Sequence, residues 1–182
     1  MGVSKTSSTS RRYLLGILAP NNLAVAVRRI IDGLDRSRWS GMPLPPMLPL
    51  AESSEPPRPP VPGLLPPPDE AFRPSGRLVP DATGTWLIWP VDTRGWLAEL
   101  KAGLDGDAPT LMPDEEGLPV AVSRQRAFDS FETIDAGGWK TVVLACWQID
   151  YLTDRPWSDA LVWRPLWRRR LRRAGSVAKI RK

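Results

Sequence analysis

The residues whose types and spacing could do chemistry gather at the C-terminus. From Arg164 to Lys182 the chain carries nine basic side chains and no acidic one. They are Arg164, Arg168, Arg169, Arg170, Arg172, Arg173, Lys179, Arg181 and Lys182. Trp157 precedes this run, and Trp163 and Trp167 flank or enter it. Guanidinium forks match phosphate oxygens in pairs, and phosphate contacts give affinity whatever the base sequence. An exposed Trp163 or Trp167 would stack on a base. The competing reading of both is packing beneath the tail, because Trp is highly buried on average.

The overall charge of +5 hides an asymmetry. Removing those nine from the 25 Lys and Arg leaves 16 in residues 1–163 against all 20 Asp and Glu, a net of −4. A basic tail on a mildly acidic body seeks polyanions: nucleic acid, anionic lipid or an acidic protein.

Other chemistry is excluded by composition. There is no histidine among the 182 residues, which removes the commonest general base and metal ligand at neutral pH. Ser-His-Asp and Cys-His systems are therefore out. One cysteine, Cys146, allows no internal disulfide and no zinc site. No phosphate-binding glycine loop occurs. Asp105, Asp107, Asp114, Glu115 and Glu116 form an acidic loop without the ligand spacing of a calcium hand, and read as solvated. The sequence thus implies no catalysis, no cofactor and no metal.

No apolar run is long enough to cross a membrane. Ser10–Gly16, SRRYLLG, looks like a twin-arginine export signal, but its apolar stretch is short and Pro20 interrupts it; a cytoplasmic location is the expectation.

The elements that would position the tail follow from hydrophobic period. Residues 1–10 are Ser/Thr-rich and read as disordered. RRYLLGILAP reads as a strand. NNLAVAVRRIIDGLDRSRW reads as a helix, capped by Asn21 or Asn22, with Leu23, Val27, Ile30, Ile31 and Leu34 at helical spacing. Residues 43–80 hold 14 prolines, so they read as an extended insertion with no interior helix or central strand. Its fragments PLPP and RPPVPG fit an SH3-like or WW-like partner, a reading ranked well behind a spacer or surface-hugging loop. TWLIWPV then repeats the strand, and TRGWLAELKAGL the helix. LPVAVS (118–123) and WKTVVLACWQIDYL (139–152) read as strands. The last segment reads as a strand through Trp163 and a helix after Pro165, with Trp163, Leu166, Trp167 and Leu171 as its stripe; an edge strand is the alternative. The expectation is an α+β fold in a single domain over residues 11–163, with a proline-rich insertion at 43–80 and a basic tail at 164–182.

The order of these segments resembles the 2′-5′ RNA ligase-like proteins of the two-histidine phosphoesterase superfamily. RRYLLGILAPNNLAVAVRRIIDGLDRSRW resembles the opening strand and helix, and TWLIWPVDTRGWLAELKAGL those of the second half. The resemblance implies two similar strand–helix lobes about a groove, each giving one His-x-Thr or His-x-Ser motif. Where the first motif would fall stands PPMLPLAE, with Met47 for the histidine and Pro49 for the hydroxyl residue. Where the second would fall stands LPVAVSR, with Pro119 and Ala121. None of these four side chains transfers a proton, so the resemblance implies a non-catalytic relative.

The leading expectation is a non-catalytic protein that contacts nucleic acid, RNA before DNA, through its basic, Trp-flanked tail. The alternative is a structural component of a larger assembly, held by its proline-rich and basic extensions. Attachment to a membrane surface ranks behind both.

Overall fold

The computed structural model describes residues 8–59, 72–104, 106–113, 115–133, 135–139, 141–153 and 161–171. The fold is α+β and dominated by strands, which form two antiparallel sheets. Sheet A runs β10 (Leu161–Arg170), β9 (Val143–Leu152), β1 (Thr9–Leu18), β3 (Met47–Ser53). Sheet B runs β2 (Trp39–Gly41), β7 (Gly117–Ser123), β6 (Trp86–Asp92), β5 (Arg77–Pro80), β8 (Phe131–Glu132), with β4 (Arg73–Pro74) on β6. The two helices are α1 (Asn21–Gly33) and α2 (Trp96–Ala102).

Alternation in β9 explains its position. Leu144 and Cys146 face the main core, which also takes Leu23, Ala26 and Val27 of α1, Trp96, Leu97 and Leu100 of α2, and the inner residues of both sheets. Ala145, Trp147 and Ile149 face a second core, with Leu14, Leu44, Met47, Leu111 and Met112. A strand buried on both faces reads as an unbroken apolar run, and VLACW (143–147) is one.

Both sheets are built on one repeated unit. In sheet A, β3 carries Leu48-Pro49-Leu50-Ala51; in sheet B, β7 carries Leu118-Pro119-Val120-Ala121. Each proline lies at a break in register: Pro49 pairs with Gly16 and Ala51 with Leu15, so Leu50 is extra. Pro119 pairs with Ile88 and Ala121 with Leu87, so Val120 is extra. Proline has no N–H for the ladder, and a bulge is where a strand tolerates that loss. Gly16 leaves room for the first bulge, since a Cβ there would lie 2.8 Å from the Leu48 carbonyl oxygen.

The chain leaving each helix crosses to the opposite sheet. After α1, β2 pairs with β7, Ser40 opposite Val122. After α2, Asp107 pairs with Glu52 of β3, with N–H···O distances of 2.9 Å both ways. Glu52 and Val122 each follow the alanine of the repeat, so the two crossings are equivalent. The crossing onto sheet A is also clamped by a carboxylate. Glu52, 3% exposed, accepts from the Thr110 N–H at 2.7 Å, the Leu111 N–H at 3.0 Å and the Thr110 hydroxyl at 3.0 Å. The Arg12 Nε lies 3.5 Å away.

Several expectations are corrected. Residues 43–80 are not merely an insertion: β3 pairs with β1, and β5 sits between β6 and β8. The segment after Pro165 is a strand, not a helix, and β10 continues through Arg170. Thr9 and Ser10 already belong to β1. Neither asparagine caps α1. Pro20 holds the cap position, its carbonyl accepting from the Ala24 N–H at 2.9 Å, and the Asn22 amide donates instead to the Ala136 carbonyl at 2.5 Å. Residues 1–7, 60–71 and 172–182 lie outside the described set, and so do Asp105 and Asp114.

Replacing Glu52 by Ala leaves the buried Leu111 N–H and the partly buried Thr110 N–H without their acceptor. Unfolding in urea is expected to show a loss of about 2–4 kcal/mol, with Glu52→Gln losing less because one acceptor oxygen remains. A loss within about 0.5 kcal/mol, the range of ordinary surface changes, would contradict this role.

Candidate functional site

The nine basic residues divide into two groups. Arg172, Arg173, Lys179, Arg181 and Lys182 lie outside the described residues. Arg164, Arg168, Arg169 and Arg170 sit on β10, all exposed. β10 is the outermost strand of sheet A, and its side chains alternate between the two faces. Trp163 pairs with Ile149 and Trp167 with Cys146, so the two tryptophans point to opposite faces. A third bulge follows Pro165, where Leu166 is the extra residue.

The tryptophans hold proline-rich chain against the sheet. The Trp163 indole N–H donates to the Pro43 carbonyl at 2.8 Å, and the Trp167 N–H to the Pro57 carbonyl at 3.2 Å. Trp167 is half-buried against the main core, whereas Trp163 keeps 37% of its surface exposed. Of the two, Trp163 therefore has the ring available to a partner. Beside it opens a groove of about 370 Å³ between α1 and Pro43–Pro46, lined by Val27, Arg28, Ile31 and Leu44.

Part of the arginine set is tied into sheet A. Arg164 donates to the Gln148 side-chain oxygen from Nη2 at 2.8 Å and from Nε at 3.2 Å. The Gln148 amide donates to Asp150 at 2.8 Å, and the Arg11 Nε donates to Asp150 at 2.7 Å. This line crosses three strands, β10, β9 and β1. The hydrogen bond from Arg11 holds the Asp150 carboxyl below its ordinary value; burial opposes the shift, and the Gln148 bond supports it. Arg170 reaches the Thr141 hydroxyl at 3.2 Å. Arg168 and Arg169 are also exposed and point to opposite faces of the strand.

The positions aligned with the two histidine motifs are all buried. Met47 is fully buried against Leu14, Leu44, Leu111, Met112 and Trp147. Pro49 and Pro119 occupy the two bulges, and Ala121 is in the main core. β3 and β7 lie against each other. The repeat, however, matches Pro49 with Pro119 and Ala51 with Ala121. Met47 and Pro49 thus stand two residues out of step with the second pair. The internal match LPLA and LPVA was the sequence signal for this register.

Among the described residues no group of His, Cys, Asp and Glu could hold a metal ion. The Cys146 thiol is fully buried, and burial pushes its pKa up to about 12. A thiol so placed is protonated at neutral pH and inert as a nucleophile. No protein-family model, curated protein or solved structure matches the chain.

Two measurements check this geometry. Ellman's reagent is expected to leave Cys146 unmodified in the native protein and to react in full once urea unfolds it. Equal rates in both states would place the thiol at the surface. For Asp150 the folded pKa lies below the unfolded one, so its contribution exists above the unfolded value of 3.8 and is lost as pH falls through the folded value. Asp150→Asn is expected to lower stability at neutral pH by no more than about 1 kcal/mol, because the pair is partly solvated. At about pH 2 the gap between wild type and variant narrows; a gap that widened would reverse the sign assigned to Asp150.

Proposed function

We propose that the protein is a non-catalytic binding protein whose working surface is β10 together with the basic residues that follow it. The observation that carries this reading is the exposed row Arg164, Arg168, Arg169 and Arg170, which leads without an acidic residue into Arg172 and Arg173. RNA is the first partner on this reading. Phosphate oxygens would take the guanidinium groups, and Trp163, with its N–H already satisfied, offers a ring to a base. Trp167 serves as a structural anchor rather than a stacking platform.

On the same reading the chain is a single domain of two similar lobes, a catalytically silent relative of the two-histidine phosphoesterases. The repeated β1-α1-β3 and β6-α2-β7 units support it, as do Met47 and Pro119 where that chemistry needs imidazoles and Pro49 and Ala121 where it needs hydroxyls. A cytoplasmic location fits the single free cysteine, Cys146.

A second reading, a component of a larger protein assembly, is favoured by a different observation: one side of β10 has no strand partner among the described residues.

The RNA reading is tested by labelled single-stranded RNA across a salt series. The full chain is compared with a version ending at Leu171, which keeps β10 whole. Removal of Arg172, Arg173, Lys179, Arg181 and Lys182 is expected to reduce the log–log salt slope by up to about 3.5, at about 0.7 per phosphate contact. Failure of both versions to bind at low salt would end the RNA reading.

A further inference from the structure

We propose that the edge of β10 that has no strand partner among the described residues is a docking site for an acidic, extended segment of a partner protein, which adds to sheet A as its next strand. This rests on the assembly reading of β10 and names its partner by chemistry.

The direction of the backbone groups on β10 follows from two hydrogen bonds. The Leu171 N–H donates to the Val142 carbonyl at 2.9 Å, so Leu171 turns its peptide groups toward β9. In an antiparallel pair this alternates residue by residue. With the register of β10 on β9, Arg169, Trp167, Arg164 and Val162 also face β9. Leu161, Trp163, Arg168 and Arg170 then turn their N–H and C=O outward. The bond from the Thr153 N–H to the Ser8 carbonyl gives the same alternation on the other side of β9, whose odd residues serve β1. Pro165 falls on an outward position, so β9 loses no donor to it. The outward groups form a template for one more strand.

Side chains on β10 define what would be added. Val162 is 70% exposed and Leu166 39% exposed, beside Trp163. Arg164 stands between them and Arg168, Arg169 and Arg170 follow, all exposed, and the strand has no acid. An added strand that alternates apolar groups with carboxylates sets its carboxylates on one face, beside Arg168 and Arg170 or beside Arg164 and Arg169. A second copy of β10 does not, since it would add four more arginines and no acid to the same edge, and concentrated like charge opposes association. The arginines thus keep the edge from pairing with itself while admitting an acidic strand. The groove between α1 and Pro43–Pro46 opens next to Trp163 and would take one apolar side chain of the incoming segment.

The test uses the full chain and a fluorescent peptide of about ten residues alternating Glu and Val, a length that matches a long strand. Two variants separate charge from backbone. Arg168→Ala removes one cation and keeps the outward N–H. Arg168→Pro removes both, and leaves the β9 ladder its donors. Fluorescence anisotropy is expected to show a loss of about threefold for Arg168→Ala and at least tenfold more for Arg168→Pro. Hydrogen exchange at Trp163 and Arg170 is expected to slow when the peptide binds. Single-stranded RNA, run in parallel, needs the charge and not the N–H, so the two variants should weaken it alike. Equal losses of peptide binding in the two variants, unchanged exchange, or equal binding of a peptide with Lys in place of Glu would each overturn the proposal. Should Arg168→Pro lose the native circular dichroism spectrum, a peptide N-methylated at alternate positions removes the same hydrogen bonds from the other side. Undiminished binding of that peptide would be equally decisive against strand addition.

Discussion

Sheet A depends on the pairing of β9 with both of its neighbours. β9 lies between β1, near the start of the described chain, and β10, near its end. It is buried on both faces, so it separates two apolar cores and belongs to each. Its odd residues bond to β1 and its even residues to β10, which leaves no donor or acceptor of the strand interior unused. The polar line Arg11–Asp150–Gln148–Arg164 runs across the same three strands where the apolar face ends. The arginines of β10 therefore stand on a platform whose position is set by backbone bonds, with side chains adding direction.

Proline, which breaks strands in general, is built into these strands at a fixed kind of place. Pro49, Pro119 and Pro165 each precede the extra residue of a bulge. In β3 and β7 the bulge follows the same Leu-Pro-x-Ala sequence and lies opposite the equivalent part of β1 and β6. The two sheets thus solve the missing donor in the same way. They also exchange the segments that leave their helices, β2 to sheet B and Asp107 to sheet A. Glu52 fixes one exchange with a carboxylate; the other has Val122 at the matching position and adds to its ladder the Arg124 Nε, which donates to the Arg36 carbonyl at 3.0 Å.

Much of the fold was legible in period and run length. The strands at Tyr13–Leu18, Trp86–Val91 and Leu144–Ile149 and the faces of α1 and α2 follow directly from where Leu, Val, Ile and Trp recur. β3 and β5 were hidden because proline counts against a strand unless a bulge or strand end can absorb it, and one sequence does not display the partner strand. The end of β10 misled for a related reason. Trp163 and Trp167 have helical spacing, but the bulge at Leu166 shifts the alternation and sends them to opposite faces. The basic residues of the candidate site were plain from composition. Their supports were not: Arg11 meets Asp150 across 139 residues, and Trp163 meets the Pro43 carbonyl across 120. Nothing local announces such contacts. The low-dielectric cover over Met47 likewise arises from residues far apart in sequence, Leu14, Leu111 and Trp147 among them.

The register of β1 on β9, which sets Thr9 against Leu152, bears on how the molecule comes into being. Contacts so distant in sequence close late and make folding slow. During synthesis β5, β6 and β7 can assemble while β1 still lacks its central neighbour, and its apolar residues await a strand not yet made. β10 comes later again. The arginine-bearing edge therefore exists only in a chain translated through Arg170, and one that stops short of it, or has not yet folded β9 into place, has no β10 edge.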